Sequence, residues 1–199
     1  MTSPRFSRIE VSHSQPNVLF KATVYGKPAA LQRPRIKFPH FFRNHFGRPT
    51  RQSRPRLWNP SSDDQQQIRM LIKNYLEASD GVEYHENAPF FHEGTAIKVK
   101  LTFFMNRPSS HFLPQANVGA AVRAYNSVKD GLKYIFHLRT PDLDNMMKFM
   151  LDSPMEGVIF KNDSNVTAIE ATKTFDNIGE CNGRIQIEVF PAALELDQE

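Results

Sequence analysis

The chain has 199 residues, of which 40% are hydrophobic and 23% are charged, and these values are typical of one soluble globular domain. No apolar run approaches the roughly 18 residues needed to cross a bilayer, which argues against a membrane protein. The single cysteine, Cys181, excludes an internal disulfide and a thiolate metal site. With no secretory signal in residues 1–15, we expect an intracellular protein of the cytoplasm or nucleoid, the nucleus or an organelle.

For residues 1–56 the sequence predicts one strand and one long loop. Residues 1–17 are expected to form a flexible segment and residues 18–25 a strand. Two prolines, Pro28 and Pro34, prevent the following loop at 27–56 from continuing that strand. Within this loop, four phenylalanines belong either to the core or to a surface that contacts nucleic-acid bases: Phe38, Phe41, Phe42 and Phe46.

The same loop concentrates positive charge. The chain has a net charge of +4, yet residues 27–56 contain only basic charged side chains, so the rest of the chain carries a net negative charge. Lysine and arginine neutralise phosphates, so the loop is predicted to bind a polyanion; a solvated loop without a ligand is the alternative. The basic residues are Lys27, Arg33, Arg35, Lys37, Arg43, Arg48, Arg51, Arg54 and Arg56.

Two clear elements follow the basic loop. A capping signal at 59–62 and apolar residues at helical spacing predict an amphipathic helix to about residue 78. Alternation of apolar and mostly polar residues predicts a strand over 97–105. The segment at 106–139 is predicted to be an insert with a short helix at about 120–134.

The last part of the chain is predicted to be mostly extended after one further helix. Three apolar segments have the composition of strands: 157–160, 166–175 and 184–190. A turn at 161–165 separates the first two, a hairpin turn at 176–183 joins the last two, and 191–199 form a tail. The element order predicts a single α/β or α+β domain over 18–190, with a small mixed β-sheet of about four strands flanked by helices.

The candidate chemistry begins in the helix that precedes these strands. Thr140 is predicted as its N-cap and Pro141 as part of its first turn. Asp142 and Asp144 diverge by about 200° on a regular helix, so they converge only if Asp142 precedes the first turn. Acidic residues at a helix start are also favoured by the helix dipole, and Lys148 has the spacing of an ordinary ion pair with Asp144.

A second acidic position follows at Asp163. Together with Asp142 and Asp144 it provides three carboxylates, and Asn145 and Asn162 add oxygen atoms nearby. Oxygen ligands of this kind suit a hard divalent cation, Mg²⁺ or Mn²⁺. Combined with a phosphate-binding loop, they indicate metal-assisted hydrolysis of a phosphodiester, with a lysine stabilising the developing charge.

The spacing of these residues resembles the signature of the RusA-type Holliday junction resolvases, the RusA-like endodeoxyribonucleases. The resemblance spans about 18–190, apart from parts of 38–56 and 106–139. The matching motifs are Asp142-x-Asp144-Asn145-x-x-Lys148-x-x-x-Asp152, Asp163-x-x-Val166, Tyr25-Gly26-Lys27-Pro28, Gln32-Arg33-Pro34-Arg35 and the helix start at Asn59-Pro60.

The resemblance implies a small mixed α/β fold, a homodimer, Mg²⁺ or Mn²⁺, and paired nicks across a four-way DNA junction. It implies that Asp142, Asp144 and Asp163 are catalytic and bind the metal, and that Lys148 is the essential catalytic lysine. Symmetric nicks require two sites related by a two-fold axis, which an isologous dimer supplies. Asp152 is expected to orient Lys148 and not to bind metal.

Two departures from the family pattern concern the site and its surroundings. Many members carry two adjacent acids where this chain has Asn162-Asp163, and the insert at 106–139 is longer than the usual connection.

These expectations combine into one hypothesis and two alternatives. The hypothesis is a metal-dependent, structure-selective DNA endonuclease that resolves Holliday junctions in DNA recombination and repair, with the basic residues of the loop contacting DNA. One alternative is a nuclease of the same chemistry that acts on forks, flaps or RNA. The other is a non-catalytic junction-binding protein whose acids only cap a helix.

Overall fold

The computed structural model describes residues 5–11, 20–32, 35–37, 56–78, 90–91, 94–114, 127–179 and 181–192. Its helices and strands are β1 (Phe6–Val11), β2 (Phe20–Gly26), β3 (Arg35–Lys37), β4 (Arg56–Trp58), α1 (Ser62–Ala78), β5 (Ile97–Met105), α2 (Leu143–Met150), β6 (Val166–Phe175) and β7 (Arg184–Pro191). Short 3-10 turns occupy Ser109–His111, Asp130–Leu132 and Asp163–Asn165, and a π-helical turn occupies Leu151–Met155.

Five strands form one mixed sheet in the order β1-β2-β7-β5-β6. Neighbouring strands are antiparallel except for β5 and β6, which are parallel. β3 and β4 pair separately as a two-stranded sheet. The predicted α+β class with a mixed sheet is therefore confirmed, and the main sheet has five strands where about four were expected.

The core lies between one face of the sheet and the two helices. Because successive side chains of a strand point to opposite faces, alternate residues of β5 lie on one side, where Ile97, Val99, Leu101, Phe103 and Met105 are all buried. α1 and α2 cover these residues with their own apolar sides. Burying each large side chain contributes roughly 1.5–3 kcal/mol. The opposite face is polar, and Lys98 and Lys100 of β5 both pair with Glu170 of β6, at 3.5 and 3.4 Å.

β1 was not expected, since residues 1–17 were assigned to a flexible segment. Its first residue, Phe6, is buried, and the Phe6 N–H donates to Gln67 Oε1 of α1 at 3.0 Å. The close pairing of β1 with the end of β2 depends on Gly26, whose φ is +151°. A Cβ atom on Gly26 would lie 2.4 Å from the carbonyl oxygen of Arg5, so only glycine permits this approach.

Two predictions about the last part of the chain were wrong. Residues 157–160 form a tight turn and not a strand: Val158 and Ile159 are buried, and their carbonyls accept hydrogen bonds from the N–H groups of Phe90 and Phe91, both at 2.8 Å. Residues 176–183 do not close a hairpin, because β5 lies between β6 and β7 in the sheet.

The remaining predictions are settled only in part. The basic loop contains β3 and β4, and most of its other residues lie outside the described ranges. Of the helix predicted near 120–134, residues 120–126 lie outside them, and the remainder holds only the short turn at Asp130–Leu132. Among the helices that the structure describes, none is both long and apolar enough to span a lipid bilayer.

Candidate active site

The two aspartates of α2 lie on either side of the point where the helix begins. Asp142 is the N-cap, with an extended backbone at φ −72° and ψ 144°, and Leu143 is the first helical residue. The predictions of Thr140 as the N-cap and of Pro141 in the first turn are wrong: both residues precede the helix, and a cis peptide bond joins them. Asp142 is thus outside the first turn and Asp144 inside it, which is the arrangement that allows their carboxylates to converge.

Both aspartates lie at the helix start, where the helix dipole favours them, but neither is held tightly by the protein. The Asp142 side chain is exposed and makes no capping hydrogen bond. Asp144 Oδ2 lies 3.8 Å from Lys148 Nζ, and these side chains are 64% and 61% exposed. An ion pair this exposed contributes little to stability, so both charged groups remain accessible to a ligand.

Asp163 is presented by a short turn that the surrounding chain fixes in place. It is exposed and begins the 3-10 turn, while Asn162 Oδ1 accepts a hydrogen bond from the Ser164 N–H at 3.1 Å. Asn165 is buried, and its Nδ2 donates to the Thr95 carbonyl at 3.0 Å. The Asn162 oxygen, one of the two predicted to lie near the carboxylates, is therefore engaged in capping this turn.

Asp152 connects the helix with the second acidic position. It lies in the π-helical turn that directly follows α2, a departure from α-helical geometry that is frequent at functional sites. Burial raises the pKa of Asp152, the negative charge of Asp163 raises it further, and the Lys148 ammonium opposes both effects. Asp152, Asp163 and Lys148 thus share one electrostatic environment.

A lysine from the sheet holds the segment that leads into the helix. Lys173 of β6 donates from its ammonium group to the carbonyl oxygens of Arg139 at 2.7 Å and Pro141 at 2.6 Å. This fixes the backbone directly before Asp142. Sequence reasoning missed this role, because a lysine on an edge strand ordinarily serves to protect that edge from pairing.

The buried side of α2 is fixed by both the core and hydrogen bonds. Gln65 Nε2 of α1 donates to the Phe149 carbonyl at 3.1 Å, and the Leu31 N–H donates to the Asn145 carbonyl at 3.0 Å. The helix therefore cannot rotate without breaking contacts on two sides. Its fully buried residues are Met146, Phe149 and Met150.

Two modes of cation binding have to be distinguished: a site built wholly from protein side chains, and a site completed by waters and substrate phosphates. Within the described ranges, no group of three or more histidine, cysteine, aspartate or glutamate side chains is arranged to hold a metal ion. Mg²⁺, however, is usually held by one or two carboxylates together with waters and substrate phosphates. The side chains of Asp142, Asp144 and Asp163 are all exposed, so an ion held by one or two of them would take its other ligands from water and nucleic acid.

The structure describes the predicted phosphate-binding residues only in part. The Lys27 side chain is exposed just after β2. Lys37 and Arg56 are opposite each other in the two-stranded sheet, and Arg35 is opposite Trp58. The other basic residues and the four phenylalanines of the loop lie outside the described ranges: Arg33, Arg43, Arg48, Arg51, Arg54, Phe38, Phe41, Phe42 and Phe46.

Comparison with known proteins identifies a family for most of the chain. The sequence model of the family described as Endodeoxyribonuclease RusA matches residues 47–190. The match includes both acidic positions and Lys148, and it leaves out β1 and β2. A search of curated proteins finds no match.

Proposed function

Because the chain belongs to the RusA endodeoxyribonuclease family, we propose that it is a structure-selective endonuclease that resolves four-way DNA junctions. It introduces paired symmetric nicks by hydrolysing phosphodiester bonds, in DNA recombination and repair. Its catalytic site is formed by Asp142 and Asp144 at the start of α2 and by Asp163 in the 3-10 turn Asp163–Asn165.

The observation that carries this proposal is the exposed, unused state of the charged groups on α2. A carboxylate whose role is to cap a helix accepts a hydrogen bond from the first turn, and Asp142 accepts none. An ion pair whose role is stability has close contact or burial, and Asp144 and Lys148 have neither. The helix is held firmly on its apolar side, so these groups are presented to solvent on a rigid support.

The roles of the residues follow from their chemistry. We assign Asp142, Asp144 and Asp163 as carboxylate ligands of Mg²⁺ or Mn²⁺, with DNA phosphate oxygens and water as the remaining ligands. When bound, such an ion supplies an activated water and stabilises negative charge in the transition state. The Lys148 ammonium stabilises charge on the phosphate or the leaving oxygen. Asp152 orients Lys148 from the next helical turn.

The assembly proposed for this reaction is a homodimer. Two nicks of like polarity across a two-fold symmetric junction require two sites related by a two-fold axis. One copy of the chain provides one set of these residues. The basic residues of the segment 27–56 hold the arms of the junction by contacts with phosphates.

Cleavage of a synthetic four-way junction tests the proposal. Wild-type protein is expected to nick it symmetrically with Mg²⁺ or Mn²⁺, and Asp144→Asn to bind it while cutting roughly a thousandfold more slowly, since metal assistance contributes several kcal/mol. The matched control is Asp130→Asn, another exposed aspartate that pairs with a lysine, Lys133, at 2.5 Å. This control should cut like wild type.

The outcomes separate the proposal from its alternatives. Failure of the wild type to cut any branched DNA, or equal rates for wild type and Asp144→Asn, would contradict the catalytic assignment. Faster cutting of forks, flaps or RNA than of the junction would retain the chemistry and replace the substrate.

A further inference from the structure

We infer that a trough outside the catalytic helix receives the sugar–phosphate backbone of a DNA arm and leads it to the acidic site. The trough consists of two adjoining clefts: Arg8 and Tyr25 are among the residues that line the first, and Thr140 and Pro141 are among those that line the second. The inference rests on the proposed function, because it names a path for the substrate of that same site.

The geometry makes the trough a route to the site. The first cleft is open and has a volume of about 740 Å³, and the second has a volume of about 440 Å³. Arg5 and Lys27 line both clefts, so the two adjoin at these residues. Pro141, the residue directly before Asp142, lines the second cleft. The trough therefore runs from the β1–β2 edge of the sheet to the start of α2.

Arg5 forms part of the framework of the trough. Its Nη1 lies 2.7 Å from Asp64 Oδ2. Its Nε donates to the Lys27 carbonyl at 2.8 Å and its Nη2 to the Pro28 carbonyl at 3.0 Å. With its hydrogen bonds used in this way, Arg5 fixes the backbone that carries Lys27 and does not itself offer a charge to a ligand.

Lys27 and Arg8 provide the charge for a ligand. Lys27 is exposed, and no carboxylate in the described part of the chain forms an ion pair with it. The Arg8 guanidinium lies 4.0 Å from the centre of the Tyr25 ring, and its pair with Glu10 is long at 3.3 Å, with side chains 62% and 55% exposed. A pair this exposed costs little to rearrange, so Arg8 can turn its charge to a phosphate.

The walls of the trough suit a polyanion in two further ways. Asp176 is the one acidic residue among those that line it in the described ranges, and it is buried against Arg184. Three glycines, Gly26, Gly179 and Gly183, contribute backbone without side chains, so an extended chain of phosphates can lie close to the wall. Contacts of this kind recognise DNA without reading its sequence.

The salt dependence of binding tests the inference. Binding of wild type, Lys27→Ala, Arg8→Ala and the double variant to a four-way junction is measured over a range of KCl concentrations. Each lost phosphate contact should reduce the slope of log K against log [salt] by about 0.9, and the double variant should lose about twice that. Lys98→Ala, which removes another exposed lysine from the start of β5, at the end of the sheet away from Tyr25, is the control with an unchanged slope.

Each outcome decides between the two proposals. If wild type cuts the junction and all slopes coincide, the trough is overturned and the proposed function stands. An equal fall for Lys98→Ala, or a change of oligomeric state without a change in slope, also overturns the trough. If wild type neither binds nor cuts the junction, both proposals fail together.

Discussion

Two aspartate–cation pairs in this chain have opposite surroundings. Asp176 contacts Arg184 directly, with side chains 5% and 8% exposed, and it also accepts hydrogen bonds from the N–H groups of Gly183 and Ile178 at 2.9 and 3.3 Å. Asp144 and Lys148 lie 3.8 Å apart and are mostly exposed. Breaking the first pair leaves a buried charge without its partner, whereas breaking the second costs little. The first pair therefore stabilises the fold, and the second is available for the proposed reaction.

The largest expected effect is on stability. Asp176→Ala should lower the free energy of unfolding by about 3–5 kcal/mol, because Arg184 remains buried without its carboxylate. Urea denaturation at neutral pH measures it. Asp144→Ala serves as the exposed counterpart and should stay within about 0.5 kcal/mol of wild type. Equal losses in the two variants would remove the distinction between the pairs.

The next largest effect is on the rate of cleavage, with no change in the free energy of unfolding. Lys148→Met should slow junction cleavage by about a hundred- to a thousandfold, because it removes a cation aimed at developing charge, and should leave the unfolding curve unchanged. Single-turnover rates at saturating protein give this number. Lys133→Met, which removes the other lysine of an exposed aspartate pair, is the control. A Lys148→Met protein that cuts at the wild-type rate would contradict the catalytic role proposed for Lys148.

Lys173 lies between the two extremes, since it is half-buried and acts on the backbone before Asp142. Lys173→Met should reduce the cleavage rate by about tenfold while the dissociation constant for the junction stays the same, because small displacements of catalytic groups are costly. Lys173→Arg should restore much of the rate by donating to the same carbonyls. Loss of affinity in place of rate would mean that Lys173 contacts DNA and does not position Asp142.

The smallest effect is the pH dependence of stability that is caused by two histidines near the end of β6. Burial lowers the pKa of both His111 and His137 below 6.5; the positive charge of Arg107 adds to this at His111, and that of Lys173 at His137. The rings of both histidines lie 4.8 Å from that of Phe175. Near these pKa values the unfolded chain binds more protons than the folded chain. The free energy of unfolding should therefore decrease as the pH falls below 6.5, until the pH is below the pKa values that the two histidines have in the folded state.

Thermal unfolding at several pH values measures this decrease. A His111→Gln/His137→Gln double variant should lose less stability than wild type between pH 7.5 and 5.5, because its side chains bind no proton in either state. Parallel curves for the two proteins would show that the histidines do not titrate with unfolding.

The elements that sequence reasoning predicted well are those with a regular local pattern. β5 and β6 have the predicted bounds, Ile97–Met105 and Val166–Phe175, because their composition and alternation are strand-like over their whole length. α2 was predicted from its helical period, but its start was misplaced. Thr140 and Asp142 are both good capping residues, and the helix uses the second of them.

The features that were missed depend on contacts between distant parts of the chain. β1 is stabilised by β2 and by Gln67 of α1, and six residues alone do not reveal such partners. The turn at 157–160 has the apolar composition of a strand, and composition cannot separate a buried strand from a buried turn. The pairing of Asp176 with Arg184 depends on the fold of the segment between them, for which the sequence contains no signal.

The parallel pairing of β5 and β6 has a consequence for how the sequence of such a protein can evolve. Two strands that run the same way need a long return connection, and here it is the stretch 106–165, which contains Asp142, Asp144, Lys148 and Asp163. Residues can be inserted into or deleted from this connection without shifting the register of either strand. The proposed substrate preference can therefore diversify through the length of this connection, while the sheet keeps its register.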